Sequence, residues 1–351
     1  MMNRSFCLEG IIVNIKIIQR IICGGCCFLA FAMVGCLGEK SISNNSDPYT
    51  SRKESVVRIE TYNSKDEKIE ESFAEKPNKI VAIWQGPIET LIALGVQDRI
   101  VAAIGLPDSI YLKPEYREAY EKIPYKSFAM PSREEIVQLQ PDFIVTSWKT
   151  FTNRSIGDTG YWQERGVKTY IAEIPRGQKE RRTVEQEYKF IRDMGMIFNV
   201  QYRAEEIIGR MQDKMTQVTA MADKNKESPS TMIVQYMGKR LMNWGDDYLQ
   251  GDIVKKLHGR LLLQQKGFIS EEELLQQNPD VIFLMVNEWD YANQAQVLQR
   301  FYQNPILNSL DAIHNRRVYL LPLYEGQYSG VRTEDGIYRI ARGLYPNAFN
   351  T

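Results

Sequence analysis

Residues 131–145 read PSREEIVQLQPDFIV, and residues 269–283 read ISEEELLQQNPDVIF. Both stretches carry a serine, two acids, two apolar residues, then Pro-Asp and a short apolar run. Ser132 aligns with Ser270, Glu134 with Glu272 and Pro141 with Pro279, each pair 138 residues apart. That spacing exceeds the roughly 20–50 residues of solenoid repeats. It fits two similar lobes, each built around its own sheet. Ser132 with Glu135, and Ser270 with Glu273, have the spacing of capping boxes, in which the serine accepts an orphan N–H and the acid reaches back. Such a cap is worth about 1 kcal/mol. The Pro-Asp that follows ends the helix and opens a buried strand. Glu134 and Glu272 are not needed for capping. At the second helical position each gains a few tenths to about 1 kcal/mol from the helix dipole. Equivalent exposed acids on two lobes could also dock a two-fold-related partner. A solvated helix face is the alternative.

Working outward, VVRIETYN and KIEESFA flank a turn at 63–66 and predict a hairpin. A strand over 79–84, a helix over 88–94 stopped by Gly95, and a strand over 99–104 then set up an alternation. It continues with a helix at 132–139, a strand at 143–147, a helix near 158–165 and a strand at 167–172. Residues 183–222 break it: Val184, Tyr188, Ile191, Met194 and Phe198, then Ile207, Met211, Met215 and Val218, recur at helical spacing. Gly195 and Asn199 divide this stretch into two helices. The alternation restarts with strands at 231–236, 281–286 and 317–321, and helices near 251–257, 270–277, 294–301 and 333–343. Alternating strands and helices predict an α/β fold: two lobes, each a mainly parallel sheet flanked by helices, joined by a long helical connection. The expected divisions are 55–182, 183–224 and 225–351. A helical connection predicts small hinge motion.

All five cysteines fall at or before Cys36, and the 351-residue chain has no net formal charge. Zero net charge without a basic stripe leaves no footprint for nucleic acid. The apolar run 21–34 is shorter than the roughly 20 residues a membrane-spanning helix needs. With its basic flanks it predicts a signal peptide over 1–35. Met33-Val34-Gly35-Cys36 resembles a bacterial lipobox, which implies cleavage before Cys36 and lipidation of its thiol. An uncleaved anchor or a metal-binding cysteine cluster is the alternative. Residues 36–54 are polar and turn-rich and read as a flexible tether. A chain so anchored would sit at the outer face of the cytoplasmic membrane.

In open α/β sheets ligands bind beyond the carboxyl ends of the strands. Residues just past those ends are Trp84 and Gln85, Trp148 and Lys149, Tyr236, Lys239, Arg240 and Trp244, Asn287 and Trp289, and Tyr324, Tyr328 and Arg332. Four of the five tryptophans fall in this set, which predicts an aromatic cleft with a few cations, suited to a bulky metal chelate. His258 and His314 are the only histidines and read as structural, so bare metal binding is not expected.

The stretch PNKIVAIWQGPIETLIALGVQDRIVAAIG, both repeated phrases, and NPILNSLDAIHNRRVYLLP resemble the class III periplasmic binding proteins, the receptors of ABC importers for ferric siderophores, haem and cobalamin. The likeness spans most of 77–345. It implies capture of an iron complex, a ferric siderophore or haem, between the lobes. It also implies delivery to a dimeric ABC permease whose arginines meet Glu134 and Glu272, with no intrinsic cofactor and no catalysis. Basic residues at the loop sites favour a ferric chelate. A cobalamin or corrinoid receptor is the alternative. From another class, so is a two-lobed chelatase-like enzyme, although no GxSxG elbow, Walker A loop or GxGxxG turn is present.

Overall fold

The computed structural model describes residues 56–147, 149–172, 181–327 and 330–349, without the side chains of Asn225 and Trp289. The expected signal peptide, the tether and Cys36 lie outside the described residues, as do Trp148 and Tyr328. Strands β1 (Val57–Tyr62) and β2 (Lys68–Phe73) form the expected antiparallel hairpin. Then β3 (Ile80–Ile83), α1 (Gln85–Ala93), β4 (Ile100–Ile104), α2 (Pro114–Glu121), β5 (Tyr125–Ser127), α3 (Arg133–Gln138), β6 (Phe143–Thr146), α4 (Thr159–Gln163) and β7 (Lys168–Ile171) build the first lobe. Its sheet is wholly parallel, in the order β5-β4-β3-β6-β7.

Helices α5 (Val184–Ile197) and α6 (Gln201–Asn225) form the connection. They meet at Gly195, where a Cβ would lie 2.6 Å from that of Ala204. Asn199, at φ +55°, turns the chain between them. The methionine stripe is core packing: Met194 and Met211 are fully buried.

The second lobe comprises β8 (Ser230–Met237), β9 (Arg240–Asn243), α7 (Leu249–Lys256), β10 (Arg260–Leu261), β11 (Gly267–Ile269), α8 (Glu271–Gln277), β12 (Val281–Val286), α9 (Glu288–Ala292), α10 (Gln294–Tyr302), α11 (Asp311–His314), β13 (Val318–Pro322), α12 (Leu323–Gly326) and α13 (Thr333–Leu344). Its sheet runs β11-β9-β8-β12-β13, with β10 also on β8. The pairs among β8, β12 and β13 are parallel, whereas β9 and β11 are antiparallel.

Strands β3 and β12 are buried at every position, as parallel strands covered on both faces must be. Along β12, Phe283 and Met285 face one core while Ile282 and Leu284 face another. The inner core is continuous between lobes: Ile80 and Phe143 of one sheet join Ile191 and Met211 of α5 and α6, then Phe283 and Leu321 of the other sheet. Of the repeated caps, Ser132 and Glu135 make both bonds of the box. At Ser270 the hydroxyl accepts the Glu273 N–H at 3.1 Å, and the return bond is not seen among the described residues.

Candidate functional site

Strand β3 passes into α1 through one residue, Trp84, whose φ of +74° and ψ of 157° lie where glycine normally sits. Such a backbone costs about 1–3 kcal/mol and persists only where its surroundings enforce it. Here the Trp84 N–H donates to the Ile104 carbonyl at 2.8 Å. Its indole Nε1 donates to Thr150 Oγ1 at 3.0 Å. The ring lies against Gly105, which follows β4 at φ +86°, and a Cβ there would come within 2.7 Å of it. The indole, 42% exposed, is thereby presented as a wall at the carboxyl ends of β3 and β4.

That wall encloses one side of a cavity of about 400 Å³, within the usual range of small-molecule sites. Gln85, Phe128 and Lys149 add to it from the first lobe; Glu288, Leu323, Tyr324 and Gln327 close it from the second. Its surface is predominantly apolar. Tyr324 is held by the Arg332 guanidinium, 4.6 Å from its ring centre, and by Tyr291 edge-on. Burial, then the Glu325 charge, pushes the Tyr324 phenol well above its ordinary range, so it stays neutral. Burial also pushes the Glu288 carboxyl up, opposed by its own backbone N–H.

Beneath the cavity a buried ion network crosses between the lobes. Gln85 donates to the Tyr111 carbonyl at 2.9 Å and to Glu89 Oε2 at 3.1 Å. Glu89 accepts from the Lys113 N–H at 2.9 Å and from Arg332 at 3.1 Å. Arg332 also meets Glu325 and Asp335, and Glu325 meets Arg339. Burial pushes the Glu89 carboxyl up, with Arg332 pulling against it. Alongside, the Gly330 N–H donates to Glu187 at 2.7 Å and the Val331 N–H to Thr90 at 3.3 Å.

Of the residues expected from the sequence, Trp84, Gln85, Lys149 and Tyr324 come together around this cavity. Others stand elsewhere. Strand β8 runs on into a tight hairpin at Gly238, φ +66°, which carries Lys239 and Arg240 back along β9 and away from the cavity lining. Tyr236 donates to Glu271 at 2.9 Å, and Arg240 stacks on Phe268 at 3.5 Å. Trp244 is 8% exposed, donates to Gln235 and lies under Lys266. Asn287 caps α9 by accepting the Asp290 N–H. Arg332 is an interior ion-pair residue rather than a lining one. Trp289 lies on α9, its side chain outside the described set.

Glu288, Phe128 and Gly105 were missed. Glu288 adjoins Asn287 at the same strand end and was open to the same rule. Phe128 follows β5, only three residues long, too short to leave a pattern. Glu134 and Glu272 are both exposed, one in the first turn of each repeated helix. Hydrogen bonds from their own backbone N–H groups, then from Arg133 and Ser270 respectively, hold both carboxyls below the ordinary range. Both are therefore charged at neutral pH.

The family model described as periplasmic binding protein matches residues 80–324. The chain is 37% identical to a periplasmic binding protein of Veillonella parvula of known crystal structure, with a TM-score of 0.79, covering 84% of this chain and 92% of that one. An uncharacterized ABC transporter substrate-binding lipoprotein of Bacillus subtilis, YvrC, is 20% identical over 79% of this chain and 83% of its own. The iron-uptake system-binding protein of Bacillus subtilis is 24% identical over 54% of this chain and 58% of its own. The match runs from β3, at the cavity's first wall, to Tyr324 at its second, and it covers both sheets: this chain belongs to the periplasmic binding protein family.

Proposed function

We propose that this chain is the substrate-binding component of an ABC importer, anchored by a lipid on Cys36 at the outer face of the cytoplasmic membrane. It captures an iron complex between the lobes and hands it to a dimeric permease. The observation that carries the reading is the cavity at the strand ends, walled by Trp84 from one lobe and Tyr324 from the other. Flat aromatic walls on both sides suit a bulky complex rather than a bare ion. Among the described residues no group of three His, Cys, Asp or Glu side chains converges to hold a metal ion directly. The lipoprotein and iron-uptake relatives support the anchor and the cargo.

Ligand binding needs little rearrangement, since the lobes already share a core and an ion network. Glu134 and Glu272 supply one docking acid per lobe, which explains why the phrase around them recurs. The direct test is uptake of radiolabelled ferric chelates by cells that carry or lack the gene. Loss of uptake of one iron complex, restored by the wild-type chain but not by Cys36→Ala, supports the reading. Unchanged uptake of every complex offered would refute it. A complex recovered chemically altered after incubation with the purified protein would point to an enzyme instead.

A further inference from the structure

Basic residues at the predicted strand ends favoured a ferric chelate, yet most of them stand away from the cavity. Arg332 is neutralised by Glu89, Glu325 and Asp335. Arg240 covers Phe268, and Lys239 is exposed in the β8–β9 turn. Among the described residues, the charged side chains lining the cavity are Lys149 from one lobe and Glu288 from the other. The remaining polarity is mostly amide: Gln85 and Gln327 line the cavity, and one amide atom of each is buried without a hydrogen-bond partner.

A charge brought into a largely apolar cavity needs a compensating charge there, or it loses its hydration without return. A multiply anionic complex would find one cation and one opposing carboxylate. A complex without net charge needs neither; its amide and hydroxamate oxygens can accept from Gln327 Nε2, and an amide N–H on it can donate to Gln85 Oε1. Glu288 meanwhile sits half-buried with only its own backbone N–H pulling against burial, so it can repel an anion and accept from a ligand donor. Discrimination built from a repulsive element of this kind is a common route to specificity.

We propose that Glu288, which lines the cavity from one lobe as Lys149 does from the other, is a specificity residue that restricts the cavity to iron complexes of little or no negative charge, ferric trihydroxamates rather than ferric tris-catecholates. This rests on the iron-complex reading and narrows it. The test is a calorimetric titration of the purified protein with three probes: a neutral ferric trihydroxamate, a ferric trihydroxamate carrying a pendant ammonium, and a triply anionic ferric tris-catecholate. The expected order places both hydroxamates at least about 100-fold tighter than the catecholate. In Glu288→Gln the affinity of the ammonium-bearing probe relative to the neutral one falls about tenfold. In Glu288→Lys the catecholate gains on the neutral probe by a similar factor. Wild-type binding of the catecholate as tight as the neutral probe would overturn the proposal while leaving iron transport intact. So would a ratio that Glu288→Gln does not move. Binding of none of the three, but of haem offered as a fourth probe, would overturn this inference alone; binding of none of the four would overturn the iron-complex reading and this inference with it.

Discussion

Arg332 and Glu89 meet at 3.1 Å across the two lobes, their side chains 8% and 0% exposed. The pair sits directly under the cavity, because Glu89 also accepts from Gln85 and Arg332 lies over Tyr324. Removing one member of a buried pair leaves an uncompensated charge and costs about 3–5 kcal/mol. Arg332→Ala should therefore lower stability by about that amount in urea unfolding, and weaken ligand binding as Tyr324 loses its support. Replacing both partners, Glu89→Gln with Arg332→Met, should cost less than the sum of the single changes, since Glu325 keeps Arg339. Strict additivity would mean the pair is not coupled.

Gly105 admits the Trp84 ring and holds a φ of +86°. Gly105→Ala meets both obstacles at once, a strained backbone and a Cβ inside the indole's contact distance. The expected loss is about 1–3 kcal/mol of stability, with a tenfold or greater loss of ligand affinity, roughly 1.4 kcal/mol. Unfolding and binding measured on the same variant would check both. Unaltered affinity would show that the indole is not part of the binding wall.

Burial pushes the Glu288 carboxyl above its ordinary value of 4.5. The folded protein thus holds that proton more tightly than the unfolded chain does. The group's favourable contribution is complete below the ordinary value and is lost as pH rises through the raised one. Glu288→Gln should accordingly melt higher than wild type at about pH 7, and the gap should close below about pH 4. A variant less stable than wild type at neutral pH would mean that a cation already compensates the carboxylate.

Glu134 and Glu272 are exposed and charged, and neither lines the cavity. The double change Glu134→Ala and Glu272→Ala should abolish uptake in cells while the purified protein keeps its ligand affinity within about twofold, the scatter expected of changes at exposed charges. Each single change should give an intermediate loss if, as proposed, each lobe meets one half of the permease. Full uptake by the double variant would remove the docking role.

Where a feature depends on neighbours in sequence, it was legible. The caps at Ser132 and Ser270, the turn at Asn199 and the Trp84 strand end all follow from residues within one helical turn or one strand. Residues just past the ends of β3, β6 and β13, namely Trp84, Gln85, Lys149 and Tyr324, do reach the cavity lining. At β8 the strand instead runs into the Gly238 hairpin with β9, and no residue of that hairpin lines the cavity. Arg332 looked like a ligand contact because its charge was visible and its partner was not: Glu89 lies 243 residues away. No local pattern announces a contact of that separation. Strands of three residues such as β5 and β11 are set by pairing with longer neighbours and leave no period to read.

The most direct measurement is tryptophan fluorescence of the purified protein titrated with ferric hydroxamate, ferric catecholate, haem and cobalamin, run in parallel on Trp84→Phe. Saturable quenching by an iron complex, tight in the wild type and much reduced in Trp84→Phe, is the predicted result. Quenching by cobalamin alone, or quenching by an iron complex that Trp84→Phe leaves undiminished, would contradict the assignment of this cavity as the site of iron-complex capture.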